Sequence, residues 1–277
     1  MPVLALWAWV VLRVGALAGE RVSFHGLGRD RGALATSAIA YGGAAILLWM
    51  VCLLAHRAIW VNGALLPAAI YALSFICYTQ ALAKGPVGLV SAFANATVLM
   101  LFFLSPRWDV PSIAGIIIFA LGSFLVLPSK FRASSAVVWM LVSDVTLVAG
   151  RLLDAHHLPA MSLPYAASLF TAVVVWLAIP ITALGAWSSA FELTRDRPGW
   201  GIAAAGFNSF SYLTVLELLR QFSPTLVEAV SASAGVAATV AGVVVFREDG
   251  AARKVTAATF MTLATLILIY SQSGKMR

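Results

Sequence analysis

Charge is what this sequence has least of. Lys, Arg, Asp and Glu make up 10% of its 277 residues, while 61% are hydrophobic and the mean hydropathy is +0.94. Soluble domains carry roughly a quarter charged residues, so most of this chain is built for a solvent other than water. Cysteine is nearly absent. Cys52 and Cys77 both lie inside apolar runs, too few for a disulfide framework and wrongly spaced for a metal site. Catalytic signatures are missing as well: there is no HExxH pair, no GxSxG elbow and no glycine-rich phosphate loop. The adjacent His156 and His157 have no partner histidine one helical turn away. These absences argue against an enzyme and against ATP binding within the chain, and nothing in the pattern requires a cofactor or a metal. The formal charge of +7 comes from basic residues scattered over short loops, which speaks against nucleic acid as a partner.

What is present is a series of apolar runs near the roughly 20 residues that an α-helix needs to cross a bilayer. The runs lie at about 3–19, 33–54, 60–83, 87–104, 110–127, 134–153, 160–187, 199–219, 224–246 and 254–271. No basic segment precedes the first, so it reads as a retained span, not a signal peptide. Backbone groups in lipid must pair within the segment, and the runs are twice the length of barrel strands, so the expected class is an all-α integral membrane protein with ten transmembrane helices. Glu20, Arg21 and the residues to Arg31 read as a polar, glycine-punctuated loop, with His25 solvated in it. Small residues at Gly15 and Gly19, Gly115 and Gly122, and Gly235 and Gly242 lie on shared helix faces, where close helix packing is expected. No loop is long enough for a soluble domain, which leaves the activity inside the bilayer.

The second half echoes the first. An offset of 138 residues carries Pro86 onto Pro224 and Arg13 onto Arg151. Each proline precedes an apolar, small-residue-rich run and then a short charged turn, Pro106-Arg107-Trp108-Asp109 in one half and Phe246-Arg247-Glu248-Asp249 in the other. Agreement between distant pairs indicates a duplication, with residues 1–132 as one five-helix repeat and 133–277 as the second. Five spans per repeat force the second copy into the inverted orientation, the recurring design of secondary transporters. On this reading Pro86 and Pro224 mark the tight ends of two moving hairpins. Eleven Lys and Arg residues sit in the loops after odd-numbered spans and five on the other side, which predicts both termini outside the cytoplasm.

Ionisable groups at bilayer depth are costly and mark functional sites by default. Asp144 is the deepest charge, seven residues from Arg151 on one helix face, with Asp154 three residues beyond Arg151. Arg151 can therefore pair with an acid in either direction. Glu217 and Glu228 lie nearer the ends of their spans, either side of Pro224. Tyr71, Ser74 and Tyr78 share one stripe, Ser91 and Asn95 another, and Asn208, Ser211 and Tyr212 precede Glu217. The candidate substrate-binding set is Arg13, Tyr71, Ser74, Tyr78, Asn95, Asp144, Arg151, Asn208, Tyr212, Glu217 and Glu228. Asp144 is the leading candidate for proton coupling and Glu217 the second. Arg13 and Arg151 are expected to face one cavity and to share a bound anion.

The segment Tyr78-Thr79-Gln80-Ala81-Leu82-Ala83-Lys84-Gly85-Pro86-Val87 and the later Val245-Phe246-Arg247-Glu248-Asp249 resemble the EamA-type repeat of the drug/metabolite transporter superfamily. In that pattern one turn joins spans three and four and a glutamate turn joins four and five. Glu248 matches the turn glutamate, whereas Trp108-Asp109 departs from it in the first half. Arg13 and Arg151 are similar to the basic residue late in the first span of each repeat. The resemblance implies two inverted five-helix repeats, spans one, three, four, six, eight and nine around a cavity, and five and ten at the periphery. It also implies both termini in the cytoplasm, opposite to the charge count. The expected function is alternating-access transport, most naturally export, of a small polar or amphipathic metabolite such as an amino acid, with protons as the coupling ion. A flippase for a lipid-linked anionic headgroup is the alternative. The implied partners are the small-molecule substrate and the lipids of the cell membrane around a multi-pass protein.

Overall fold

The computed structural model describes residues 3–29, 31–104, 108–126, 134–157, 161–246 and 251–273. Among the described residues the chain is helical, without strands. In order it forms α1 (Val3–Gly28), α2 (Ala33–Leu54), a short 3-10 turn, α3 (Leu65–Lys84), α4 (Val87–Phe93), α5 (Ala96–Leu104) and α6 (Val110–Val126). The second half forms α7 (Ser135–His157), α8 (Ser162–Ala183), α9 (Trp187–Asp196), α10 (Pro198–Leu219), α11 (Pro224–Phe246) and α12 (Ala251–Ser273). Five segments are long and apolar enough to cross a membrane: Ala33–Leu54, Asn62–Lys84, Ser135–His156, Ser162–Ala183 and Pro198–Leu219. Their outward faces carry Ile46, Leu54, Val175, Ile179 and Ile202, all well exposed. Helices of that length with so much exposed apolar surface have no stable place in water, and the chain is an all-helical membrane protein.

Helix ends follow local chemistry. Pro198 and Pro224 stand at first helical positions, where a missing amide donor costs nothing. Asp109 Oδ1 accepts the Ser112 amide at 2.9 Å and so caps the start of α6. At the end of α8, Gly185 takes φ +62°, and the Ala186 amide reaches back to Ile181 O at 2.9 Å, the wrap that ends a helix on a left-handed glycine.

Three sequence expectations change here. The apolar run at 160–187 holds one span but closes earlier than its hydropathy does: α8 ends at Ala183 before Gly185, and α9 follows as a short amphipathic helix that buries Ala190 and Leu193 and exposes Phe191. The run at 87–104 is broken at Ala94-Asn95 into α4 and α5, with Asn95, whose side-chain amide competes with helical bonding, at the break. Most consequential is α1, which continues nine residues past Gly19. Glu20, Arg21 and His25 are therefore buried helix residues, and His25 Nδ1 lies 2.8 Å from Leu82 O. Within the GxxxG, Gly19 packs against Phe207, but Gly15 touches no neighbouring element. The Pro106-Arg107 part of the first charged turn, Lys130, Arg132 and Arg247-Glu248-Asp249 lie outside the described residues.

The principal packing pairs are α1 with α10, α3 with α7, α2 with α8, α6 with α12, and α11 with both α1 and α12. A large core of α2, α3, α8 and α10 side chains includes Tyr41, Tyr71, Tyr165 and Phe170. On one face of the molecule Arg31 pairs with Asp196 at 2.8 Å. Beside it Arg197 Nη1 donates to the carbonyls of Gly26, Leu27 and Arg29, a cation on the negative end of α1. The α1–α2 connection and the α9–α10 connection are thereby on the same side.

Candidate functional site

The site grows from the ring of α1, α3, α7, α10 and α11 around an internal cavity of about 70 Å³. From α1 come Arg13, Leu17, Glu20 and Arg21; from α3, Ser74, Phe75 and Tyr78. Ala94, at the α4–α5 break, closes one wall. Helix α7 supplies Met140, Ser143, Leu147 and Arg151, α10 supplies Asn208, Ser211 and Tyr212, and α11 supplies Glu228. Three guanidinium groups and two carboxylates thus share a space that would hold only a few waters or one small polar group. No described residue of α2, α6, α8 or α12 reaches the lining.

Arg151 is held on several sides. Its Nε donates to Glu228 Oε1 at 2.5 Å and its Nη1 to the Tyr71 hydroxyl at 2.9 Å. Its guanidinium lies 5.6 Å from the Tyr71 ring centre and 5.7 Å from that of Tyr212, within cation–π range. Behind it, Asp154 Oδ2 accepts hydrogen bonds from Tyr71 and Tyr212 at 2.5 and 2.8 Å, and Oδ1 accepts from Tyr165 at 2.7 Å. Asp154 Oδ2 is 3.6 Å from Arg151 Nη1. A fully buried carboxylate is tolerable when hydroxyls and a cation replace its hydration, and here three tyrosines and one arginine do so. The arrangement depends on Gly150: a Cβ there would lie 2.6 Å from Tyr71 Cζ, so only glycine lets the Tyr71 ring rest against α7 beside Arg151.

Arg13 is satisfied differently. Its Nε donates to Ser231 Oγ at 2.9 Å, and its Nη1 donates to Ser211 O at 2.8 Å and to Ser211 Oγ. It joins α1 to α10 and α11 through neutral partners. Both arginines line the one cavity, and both already spend much of their donor capacity on the protein.

Of the eleven candidate residues, Arg13, Ser74, Tyr78, Arg151, Asn208, Tyr212 and Glu228 line the cavity, and Tyr71 stands behind it. Three stand elsewhere. Asp144 does not pair with Arg151; its Oδ1 accepts from Thr97 at 2.9 Å, and its Oδ2 has no hydrogen-bond partner among the described residues. The i+7 spacing puts Asp144 and Arg151 two turns apart on α7, too far for contact, and the i+3 acid Asp154 takes the place. Asn95 points its amide nitrogen at Met261 Sδ of α12, 3.1 Å away. Glu217 accepts from Ser162 Oγ at 2.6 Å and lies 3.5 Å from Arg220, at the end of α10 and outside the lining. Sequence reasoning passed over Glu20 and Arg21 because adjacent charges after an apolar run read as a loop. Spacing alone offers Asp154 only as a pairing option for Arg151.

Neither a protein-family model nor a curated protein matches the chain. It is similar to a solved crystal structure with a TM-score of 0.69 and 14% sequence identity, the match covering 94% of this chain and 95% of the other. At that identity the likeness speaks for the fold alone.

Proposed function

We propose that this protein is a secondary transporter that moves a small polar or amphipathic metabolite, such as an amino acid, across the cell membrane by alternating access. The observation that carries the reading is the buried cavity lined by three arginines and two glutamates from helices of both halves. Charges of both signs at that depth are expensive, and a purely structural core has no use for a polar space among them. Export in exchange for protons is the proposed direction and coupling.

The frame proposed is ten spans in two inverted repeats, with α4 and α5 together as the fourth span and α9 as an interfacial helix. Two observations support it. Exchanging the halves turns the α3–α7 contact into α10–α1 and returns α2–α8 and α6–α12 to themselves, and all four are principal packing pairs. The ties from Arg31 to Asp196 and from Arg197 to the end of α1 also join two connections that alternate threading puts on one side. Pro86 and Pro224 then stand at corresponding hairpin ends, where rocking of one bundle against the other would be felt. Membership of the drug/metabolite transporter superfamily is the family this reading favours.

The test is reconstitution into proteoliposomes with counterflow of labelled amino acids. Accumulation that needs internal unlabelled solute supports the carrier. Absence of flux for every small solute, together with scrambling of a fluorescent anionic lipid, would favour the headgroup flippase, for which three guanidinium groups are also suited.

A further inference from the structure

Ten buried side-chain atoms of the described residues lack a hydrogen-bond partner, and four of them belong to the cavity lining: Arg21 Nε, Arg21 Nη1, the Tyr78 hydroxyl and Asn208 Nδ2. All four can donate. The remainder, such as Ser37 Oγ, Tyr41 OH and Asp144 Oδ2, belong to residues outside the lining. Arg21 is only 5% exposed and its Nε and Nη1 meet no protein acceptor among the described residues, which leaves them to whatever polar group occupies the cavity. Arg13 and Arg151 show the contrast, since their forks are engaged by serines, a tyrosine and carboxylates. Helix α11 makes room for the guanidinium: a Cβ at Gly235 would lie 3.0 Å from Arg21 Nη1.

We infer that Arg21, with Tyr78 and Asn208, is the seat of an oxyanion carried by the substrate, a carboxylate or a phosphate. Arg13 and Arg151 hold the walls of that seat and do not grip the ligand. The inference rests on the transporter reading for the word substrate, and names its chemical class. Donors converging from α1, α3 and α10 suit the planar or tetrahedral oxygens of such a group, and a guanidinium offers it two parallel bonds. The small cavity suits a compact anionic group. Glu20 and Glu228 in the same lining would repel a dianion that offered no cation in return, so a monoanion or a zwitterion is the better fit.

The experiment is ligand-dependent thermal stabilisation of the purified protein in lipid nanodiscs. The probes are acetate, L-alanine, inorganic phosphate, ethanolamine as a cation without an oxyanion, and dihexanoyl phosphatidic acid as a soluble lipid headgroup. At least one oxyanion probe should stabilise the wild type and ethanolamine should not. Arg21→Gln should weaken that oxyanion by about tenfold or more, the loss expected for charge-assisted hydrogen bonds. Arg21→Lys and Gly235→Ala, which keep the charge and disturb only its geometry, should weaken it less, and they carry the test if Arg21→Gln does not fold. Response to phosphatidic acid alone assigns the oxyanion to a lipid; response to acetate, alanine or phosphate assigns it to an aqueous solute. No oxyanion binding to wild type, equal binding of ethanolamine, or unchanged oxyanion affinity in the Arg21 and Gly235 variants overturns the inference. Counterflow by wild-type proteoliposomes alongside unchanged affinity in those variants would sink the seat and leave the carrier standing. Arg21-dependent binding without any flux would do the reverse.

Discussion

Replacing Arg151 by lysine removes the planar fork while keeping the charge, and the cost follows from the partners. Nε serves Glu228 and Nη1 serves Tyr71, on opposite sides of the guanidinium, with Asp154 behind. One ammonium cannot reach both sides. If it stays with Glu228, Asp154 keeps three tyrosine donors, and the loss is one charge-assisted bond and part of the aromatic stacking, about 2–3 kcal/mol. If it turns to Asp154, Glu228 is left buried without its cation and the cost rises toward about 3–5 kcal/mol. The cheaper arrangement prevails, so Arg151→Lys should destabilise by about 2–3 kcal/mol in SDS titration from mixed micelles. Arg13→Lys should cost less, because its partners are serines and no carboxylate is orphaned. A cycle that pairs Arg151→Gln, which removes the cation, with Glu228→Gln should return a coupling of about 1–2 kcal/mol, well above the additivity limit of about 0.5 kcal/mol for independent sites. Additive single effects, or an Arg151→Lys loss below that of Arg13→Lys, would refute the account of how Arg151 is held.

Gly150→Ala should lower stability by about 1–3 kcal/mol, because the new methyl meets the Tyr71 ring at 2.6 Å and overpacking has that typical cost; a melting temperature equal to wild type would contradict it. Glu217→Gln should leave counterflow unchanged and cost under about 1 kcal/mol, as its pair with Arg220 is partly exposed, whereas a transport-dead but well-folded variant would return Glu217 to the coupling site. Asp144→Asn should abolish the pH dependence of concentrative transport and spare exchange, since its Oδ2 is the one buried carboxylate oxygen without a hydrogen-bond partner among the described residues. Proton-driven accumulation intact in both acid variants would leave facilitated diffusion as the mechanism.

Hydropathy located most of the helices because it measures the solvent outside them, and lipid leaves the backbone little choice there. It erred where a residue's neighbour was protein. Glu20 and Arg21 look like the end of a span only if charge must mean water; facing an internal cavity they leave α1 intact. The early end of the span in the 160–187 run had a readable cause in Gly185, a residue suited to a left-handed helix stop, masked by apolar Leu184 before it and Trp187 after it. The break at Ala94-Asn95 had only one weak sign, an asparagine in an apolar run.

Depth misled in the same way when the coupling acid was paired. Asp144 is the most buried position by span geometry, yet two turns of helix separate it from Arg151, and the shorter i+3 step to Asp154 decides the contact. What fixes Asp154 is three tyrosines from three other helices, information that no local spacing contains.

The internal duplication carries a similar limit, visible when its offset is applied beyond the residues that revealed it. The 138-residue shift matches Arg13 with Arg151 and Ser74 with Tyr212, and all four line the cavity. The same shift sets Glu20 against Leu158, Arg21 against Pro159, Glu228 against Val90 and Asp154 against Ala16. Every other charge at or beside the site is therefore present in one half only. A repeat keeps what both halves need, here an arginine that braces neighbouring helices, and self-comparison finds it. A substrate without twofold symmetry requires the opposite, polar groups that the halves do not share. Arg21 is of that kind, with its Nε and Nη1 unused and its counterpart a proline, and it emerges only when the fold shows which guanidinium keeps donors to spare.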